Sequence, residues 1–376
     1  MKRVELEYIS TWNFRNLAPE RVDVVPGVNM IVGGNGEGKT NLLEAITVLC
    51  NLRSFRARTF RNLVSHGETA FRLGGALLTR RGAVTLQQNV ELGPPLQRKL
   101  AVDGSEVSAA SYLQLLPVEV LSHSDRELVV GEPERRRAFT DRFAFLLRPA
   151  LYSVLLTYRR LLRQRNAALT VSGDGVVEAL EEQLADAAAT IVTDRRRAVD
   201  RVGERFGPIF RTLRQEGAPD LEVRYRAESW LDAGDENGVA EAYKKRYAEH
   251  RSRDREAGFT SVGPHRHDLV IETADRGVRD FLSSGQIRVA AAALRLAVVE
   301  QLEQERGDRL PVLIDDVDAE LDEGSLERLL ERAGEGRQLL VTSARADRLP
   351  MSWRAARTTW MRDGACLCQS LQGETL

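Results

Sequence analysis

Residues Gly33-Gly34-Asn35-Gly36-Glu37-Gly38-Lys39-Thr40 satisfy the spacing G-x-x-x-x-G-K-[ST] of a phosphate-binding loop. Successive backbone N–H groups of such a loop curl around phosphate oxygens, and the glycines permit the turns and the close approach. Lys39 is placed to reach the β- and γ-phosphates of ATP, and Thr40 to offer its hydroxyl to Mg²⁺. A second chemical group lies far downstream, where the apolar run Leu310-Pro311-Val312-Leu313-Ile314 ends in Asp315-Asp316. A buried strand delivering a carboxylate at its C-terminal end is the Walker-B arrangement. Asp315 then holds the magnesium shell, directly or through water, and Asp316 polarises the attacking water. Lys39, Asp315 and Asp316 are therefore the expected catalytic set, and Thr40 and Asp315 the expected metal set.

These groups need elements to hold them. Val28 to Val32 reads as a strand running into the glycine loop, and Asn41-Leu42-Leu43-Glu44-Ala45-Ile46 reads as the helix after it. Val4, Leu6, Tyr8 and Ser10 form an alternating stretch that ends near Trp12. Residues 68 to 120 look like several strands, with a hairpin at Ala101-Val102-Asp103-Gly104. From Glu134 to Asn166 the chain is arginine-rich and carries leucines at helical period around one proline, Pro149. A break at Ser172-Gly173-Asp174-Gly175 precedes a second helical stretch over 176–206, and another covers 237–250. The α/β pattern then returns. A helix is expected at 286–304, a strand at 310–314, a helix at 323–332, a strand at 338–341 and a hairpin around Asp363-Gly364. Residues 1–145 and 250–376 are thus expected to form one discontinuous ATPase domain, with 146–249 a mainly helical insertion.

Composition sets the outer limits. The chain has 376 residues, 54 of them Lys or Arg and 55 Asp or Glu. A balanced total leaves local clusters to decide about nucleic acid. Cys50, Cys366 and Cys368 make neither a disulfide framework nor a paired zinc site. No apolar run is long enough to span a membrane, and the N-terminus has no export-signal pattern. A reducing, cytoplasmic setting is expected.

Phe281-Leu282-Ser283-Ser284-Gly285-Gln286, ahead of an amphipathic helix, resembles the signature of ABC-type ATPases. In that family the signature of one subunit caps the γ-phosphate held by another. Taken alone, the residues also read as a simple helix cap, with Ser283 or Ser284 serving the first turn. Further motifs narrow the resemblance to the RecF recombination and repair proteins. They are Asn13-Phe14-Arg15-Asn16-Leu17, Asn41-Leu42-Leu43-Glu44-Ala45, Pro133-Glu134-Arg135-Arg136-Arg137, Gln164-Arg165-Asn166, Val262-Gly263-Pro264-His265-Arg266 with Asp268, and Asp315-Asp316-Val317 continuing to Glu320-Leu321-Asp322. Their order is the family's, and they span nearly the whole chain. His123-Ser124-Asp125 and His267 depart from the family pattern. Thr342-Ser343 stands where a transporter ATPase presents a histidine, and the insertion is too short for a long coiled coil.

The resemblance implies an α/β fold, an ABC-type P-loop ATPase head with a mainly helical inserted arm. It implies that Gly33 to Asn41, Ser283, Gly285, Gln286 and Asp322 bind nucleotide. Asp322 reads both as a dimer-crossing residue and as an ordinary helix N-cap. A symmetric ATP-dependent homodimer follows, with slow, DNA-stimulated hydrolysis controlling dimerisation and release. The implied partners are double-stranded DNA, single/double-strand junctions and RecO-like and RecR-like mediators, and the implied setting is nucleoid-associated, at gaps and stalled forks, in homologous repair and SOS induction. Candidate DNA contacts are Arg56, Arg58, Arg135, Arg136, Arg137, Arg159 and Arg160, each also readable as a solvated face or an ion pair. His265 is open to phosphate contact, nucleotide sensing or bracing. The competing reading is a nucleotide-binding scaffold without direct DNA contact.

Overall fold

The computed structural model describes residues 2–80, 82–171, 173–214, 217–231, 235–273, 276–278, 282–317, 321–345 and 357–370. Ser172, Phe281 and Glu320, which the sequence reading used, lie outside them. The chain divides into one unit made of Met1–Arg126, Ile209–Ala218 and Leu282–Leu376, and a second made of Glu127–Pro208 and Pro219–Phe281.

The first unit begins with strands β1 (Lys2–Arg3), β2 (Glu5–Trp12), β3 (Arg21–Asp23) and β4 (Val28–Val32). The glycine loop follows β4, and α1 (Lys39–Asn51) begins at its end. Next come β5 (Ala70–Thr79), β6 (Gly82–Glu91), β7 (Gln97–Val102), β8 (Ser105–Glu106), α2 (Ala109–Leu113) and β9 (Glu119–Leu121). Pairing of β2 with β5 shifts register between Leu6 and Tyr8. Such a shift turns the following side chains to the other face. Ile9 and Thr11 are therefore buried, where the alternation Val4-Leu6-Tyr8-Ser10 put Tyr8 and Ser10.

The second unit holds α3 (Arg126–Val130, its first residue shared with the other unit), α4 (Pro133–Leu147), α5 (Leu151–Val171), most of α6 (Asp174–Leu213), β10 (Glu222–Arg226), α7 (Glu236–Ala257), β11 (Asp268–Thr273) and β12 (Arg276–Gly277). Its bounds differ from the expected 146–249. Helix α4, most of it before residue 146, packs on β11, after residue 249. Arg136 of α4 fixes that contact with a bidentate pair to Asp268, at 2.8 and 2.6 Å. The end of α6, Ile209 onward, belongs to the first unit. Pro149 separates α4 from α5, as a residue without a donor N–H does.

The first unit resumes with α8 (Ser284–Arg306), β13 (Asp308–Arg309), β14 (Val312–Ile314), α9 (Glu323–Gly334), β15 (Leu339–Ser343), β16 (Arg357–Arg362) and β17 (Ala365–Ser370). One sheet has the order β17-β16-β4-β15-β14-β9, parallel except for the final hairpin β16–β17. Its central strands β14 and β15 are buried throughout, as strands covered on both faces must be. The other sheet is an antiparallel meander, β3-β2-β5-β6-β7-β8. Helix α1 touches strands of both sheets and is buried on nearly every side, which explains its apolar character all round. Gln338 stitches the sheets together. Its Nε2 donates to the carbonyls of Leu6 and Val25 at 2.8 and 3.0 Å, and its Oε1 accepts from Leu6 N at 2.8 Å. The expected hairpins at Asp103-Gly104 and Asp363-Gly364 form, with all four residues at positive φ. Among the described residues no helix is long and apolar enough to cross a membrane.

The second unit is organised by a buried cation. Arg165 is 0% exposed and lies on α5. It donates to Asp254 of α7 at 2.8 Å, to Thr260 at 2.8 Å and twice to Glu181 of α6, at 2.8 and 3.2 Å. Asn166 beside it accepts from Thr260 N at 2.9 Å. The Gln164-Arg165-Asn166 motif therefore anchors three helices. His265 is a brace in the same unit. Its Nε2–H donates to the Thr260 carbonyl at 3.0 Å, so its Nδ1 accepts from the Tyr158 hydroxyl at 2.7 Å. A Cβ on Gly263 would lie 2.6 Å from that hydroxyl, at a φ of +138°.

Two outcomes follow. Arg165→Met takes the ion-pair partner from the buried Asp254, while Glu181 keeps Arg251, and lowers unfolding free energy by about 3–5 kcal/mol, read by urea denaturation. Burial pushes His265 down to about 4. An unfolded histidine titrates near 6.5, so the unfolded chain takes up the proton first as pH falls. Stability is unaffected above that value and falls between about 6.5 and 4, by up to about 3 kcal/mol for this one group. His265→Gln removes that part of the acid-side slope.

Candidate functional site

The phosphate loop joins β4 to α1 at the C-terminal edge of the parallel sheet, where open α/β folds place ligands. Gly38 caps α1 with φ +103° and offers no side-chain acceptor, so the first N–H groups of the helix face the loop. A Cβ there would meet Leu17, Gly364 and Met361 at 3.1–3.3 Å. Lys39 is only 8% exposed, and its Nζ donates to the carbonyls of Gly33 and Gly34, both at 2.8 Å. The ammonium thus sits inside the curl of the loop.

Several residues around the loop brace it. Glu37 holds the C-terminal hairpin: its carboxylate accepts from Asp363 N, and its carbonyl accepts from Gly364 N at 3.1 Å. Asn16 donates to the Gly36 carbonyl at 3.1 Å and accepts from Asn41. The Glu37 and Asn41 side chains, expected to bind nucleotide, are thus engaged in bracing. Glu44 is fully buried on α1 and accepts two bonds from Arg15, both at 2.9 Å, with further bonds from Arg56 and Ser54. Burial pushes its carboxyl up, but those bonds outweigh it and hold it below the usual range.

The carboxylate pair lies beside the loop. Asp315 Oδ1 accepts from Thr40 Oγ1 at 2.9 Å and from Thr342 Oγ1 at 2.8 Å. Strand β15 lies between β4 and β14, which puts Thr342 between the loop and the carboxylates. In the sequence Thr342 marks only the absence of a transporter-type histidine; the strand order supplies its place beside Asp315. Burial raises the Asp315 pKa, and the neighbouring Asp316 raises it further against the two hydroxyl bonds. A divalent cation beside Thr40 and Asp315 would relieve both effects, so the residues fit Mg²⁺. Among the described residues no cluster of three His, Cys, Asp or Glu side chains stands ready to hold a metal, so phosphate and water oxygens would complete that shell. Asp316 is exposed and free of that burial, at φ +53°.

The signature forms a separate site in the same unit. Ser283 caps α8 in a closed capping box: its Oγ accepts from Gln286 N at 3.2 Å, and Gln286 Oε1 accepts from Ser283 N at 2.9 Å. Asp322 caps α9 by accepting from Ser325 N at 2.9 Å. The cap readings of both motifs therefore hold as geometry. Ser283, Gly285, Gln286, Asp322, Ser325 and Arg214 nonetheless line one cavity of about 200 Å³. Among the described residues its lining includes none from the phosphate loop. Asp125 ties α8 from below: Arg295 bridges it, at 2.6 Å, to Glu119, at 2.7 Å.

The arginine candidates divide. Arg136, 11% exposed, is committed to Asp268, and Arg137 donates to the His267 carbonyl at 3.3 Å. Arg135 pairs with Glu127 at 2.6 Å, and Arg56 serves Glu44 and Asn41. Arg58 and Arg160 are exposed, and Arg159 is 62% exposed with a loose pair to Asp141 at 3.6 Å. Arg56 is exposed too, at 38%, but its guanidinium is engaged by Glu44 and Asn41, so Arg58, Arg159 and Arg160 are the exposed candidates with at most a loose ion pair.

The profile of the RecF/RecN/SMC N terminal domain matches residues 5–365. A DNA replication and repair protein RecF from Anaeromyxobacter sp. (strain Fw109-5) is 36% identical over 325 residues, covering 85% of this chain and 86% of that one. The solved structure of "the recombination mediator protein RecF-ATP in RecFOR pathway" superposes with a TM-score of 0.88 at 27% identity, over 98% of this chain and 97% of that one. An Smc head bound to the C-winged helix domain of ScpA shares the fold, with a TM-score of 0.55 at 16% identity and 98% of each chain covered. A braced phosphate loop, a paired carboxylate strand and a capped signature helix, in one chain that matches those relatives almost end to end, place it in the RecF family of DNA replication and repair proteins, with the ATPase head fold that this family shares with SMC proteins.

Proposed function

We propose that the chain is an ATP-switched DNA clamp that acts as a recombination mediator at single-strand gaps and stalled forks. The observation that carries this is the separation of its two phosphate-facing surfaces. The loop Gly33–Thr40 and the cavity under Ser283, Gly285 and Gln286 belong to the same unit but, among the described residues, share no lining residue. A loop from one copy and a signature from another complete one site, and twofold symmetry then gives two. ATP bridges the copies. ADP lacks the γ-phosphate that the signature contacts, so hydrolysis releases them.

Within each site Lys39 and the loop N–H groups hold the phosphates. Thr40 and Asp315 would hold Mg²⁺, which supplies charge neutralisation at the β- and γ-oxygens. Asp316 accepts a proton from the attacking water. The water oxygen bonds to the γ-phosphorus as the bond to the bridging oxygen of ADP breaks. Turnover is slow and rises with bound DNA. Double-stranded DNA and its junctions with single strands are contacted through phosphates by Arg58, Arg159 and Arg160, without base reading. RecO-like and RecR-like proteins are its partners, and the nucleoid is its place of action in homologous repair and SOS induction. The scaffold reading draws on the arginines that are tied internally, Arg56 and Arg136 above all.

Fluorescence anisotropy with labelled duplex, at fixed salt and with ATP or ADP, separates the two. The clamp binds duplex with ATP and not with ADP, and Lys39→Met abolishes the difference. A protein that binds no duplex in either state is the scaffold. Asp316→Asn keeps ATP binding and slows turnover by about 100-fold or more. Arg159→Ala with Arg160→Ala weakens every duplex sequence equally. The slope of log affinity against log salt becomes shallower by about one for each phosphate no longer neutralised.

A further inference from the structure

Arg288 lies two residues beyond Gln286, on the helix that starts at the signature. Its Nη2 donates to the main-chain carbonyl of Asp316 at 2.7 Å. Asp316 has a left-handed backbone, φ +53°, a region that Asp enters more readily than most residues with a Cβ. Two bonds hold its peptide groups, from opposite sides. The Asp316 N–H donates to Thr342 Oγ1 at 2.8 Å, and Thr342 is rooted in the buried strand β15. The other bond is Arg288. One residue, Asp316, is thus held on its N–H side by the sheet and on its carbonyl side by the signature helix. All these residues lie in the first unit.

We infer that Arg288 is a positioning residue that couples the signature of each copy to the Asp316 carboxylate of that same copy. The inference rests on the shared-site reading above. A phosphate docked on Ser283 to Gln286 belongs to the partner's nucleotide. The first turns of α8 that receive it carry Arg288, and Arg288 sets the peptide of the proposed general base. Each site is then competent only when the signature of the copy that holds its nucleotide is itself engaged. The two sites fire together, and a half-engaged dimer is silent.

Two measurements test this. Wild-type protein is mixed with Ser283→Arg copies at concentrations where sedimentation shows that the variant pairs fully, alone and with wild type, and ATP turnover is followed against the wild-type fraction. Coupled sites need two intact signatures, so an equal mixture retains about a quarter of wild-type turnover. Independent sites need one, and about a half remains, which overturns the coupling. If Ser283→Arg leaves turnover and ATP-dependent pairing unchanged even alone, the shared-site reading itself falls. The second measurement is Arg288→Ala. Turnover falls by about 100-fold while KM, ATP-dependent pairing and thermal melting stay as in wild type, because the effect is on the placement of one peptide. Arg288→Lys, which keeps a donor, recovers part of the loss. Turnover near wild type in Arg288→Ala overturns the proposal. Should that variant fail to fold, the mixing series decides alone, since it leaves Arg288 intact.

Discussion

Asp315 is a buried carboxylate held by two threonine hydroxyls, one from the helix after the phosphate loop and one from the strand beside it. Most of the candidate site depends on that joint. It fixes the distance between the loop that holds phosphates and the strand that holds the carboxylates. Its partners come from residues 40, 315 and 342, far apart in sequence. Only the strand order β4-β15-β14 brings them together. Burial, with Asp316 alongside, leaves the Asp315 carboxyl pKa raised despite the two hydroxyl bonds, an effect that a bound cation would reverse. A single buried group therefore links the fold to the placement of Asp316 and of the proposed cation.

Similar buried ties recur wherever a functional segment meets the frame. Glu44 holds Arg15 and Arg56 around the phosphate-loop helix. Arg295 holds Glu119 and Asp125 beneath the signature helix. Glu303 gathers Arg309 and Arg337 at the far end of that helix. Arg165 joins three helices of the second unit. Such pairs add little net stability over apolar packing, but removing one partner is costly because a buried charge is left alone. They favour one arrangement over its alternatives, and here that arrangement holds the loop and the signature helix in register with the sheet. The arginine-rich composition is in good part this internal framework. That is why a run such as Arg135-Arg136-Arg137 overstates the charge available to a partner.

The geometry of the candidate site was legible in the sequence where it is local. The glycine loop, the apolar strand ending in Asp315-Asp316, the cap-forming Ser283 and Asp322, and the Asp103-Gly104 and Asp363-Gly364 turns all depend on neighbours a few residues away. What was not legible depends on pairing across long separations. Thr342 gains its role from strand order, and Glu37 from a hairpin more than 300 residues later. The register shift in β2 arises from its pairing with β5 and leaves no mark in the alternation itself. The helical insertion was recognised by its periodicity, but its limits were not. Arg136 and Asp268 tie its two ends through a contact 132 residues apart. The 123–125 loop, which departs from the family pattern, is a capped turn holding Arg295.

The account's central claim is that the phosphate loop and the signature are halves of one site, completed between copies. Sedimentation velocity of the wild-type chain at fixed salt, without nucleotide, with Mg²⁺ and ATP, and with Mg²⁺ and ADP, tests it most directly. The account predicts a monomer in the first and third conditions and a dimer in the second. The same association state in all three would contradict it.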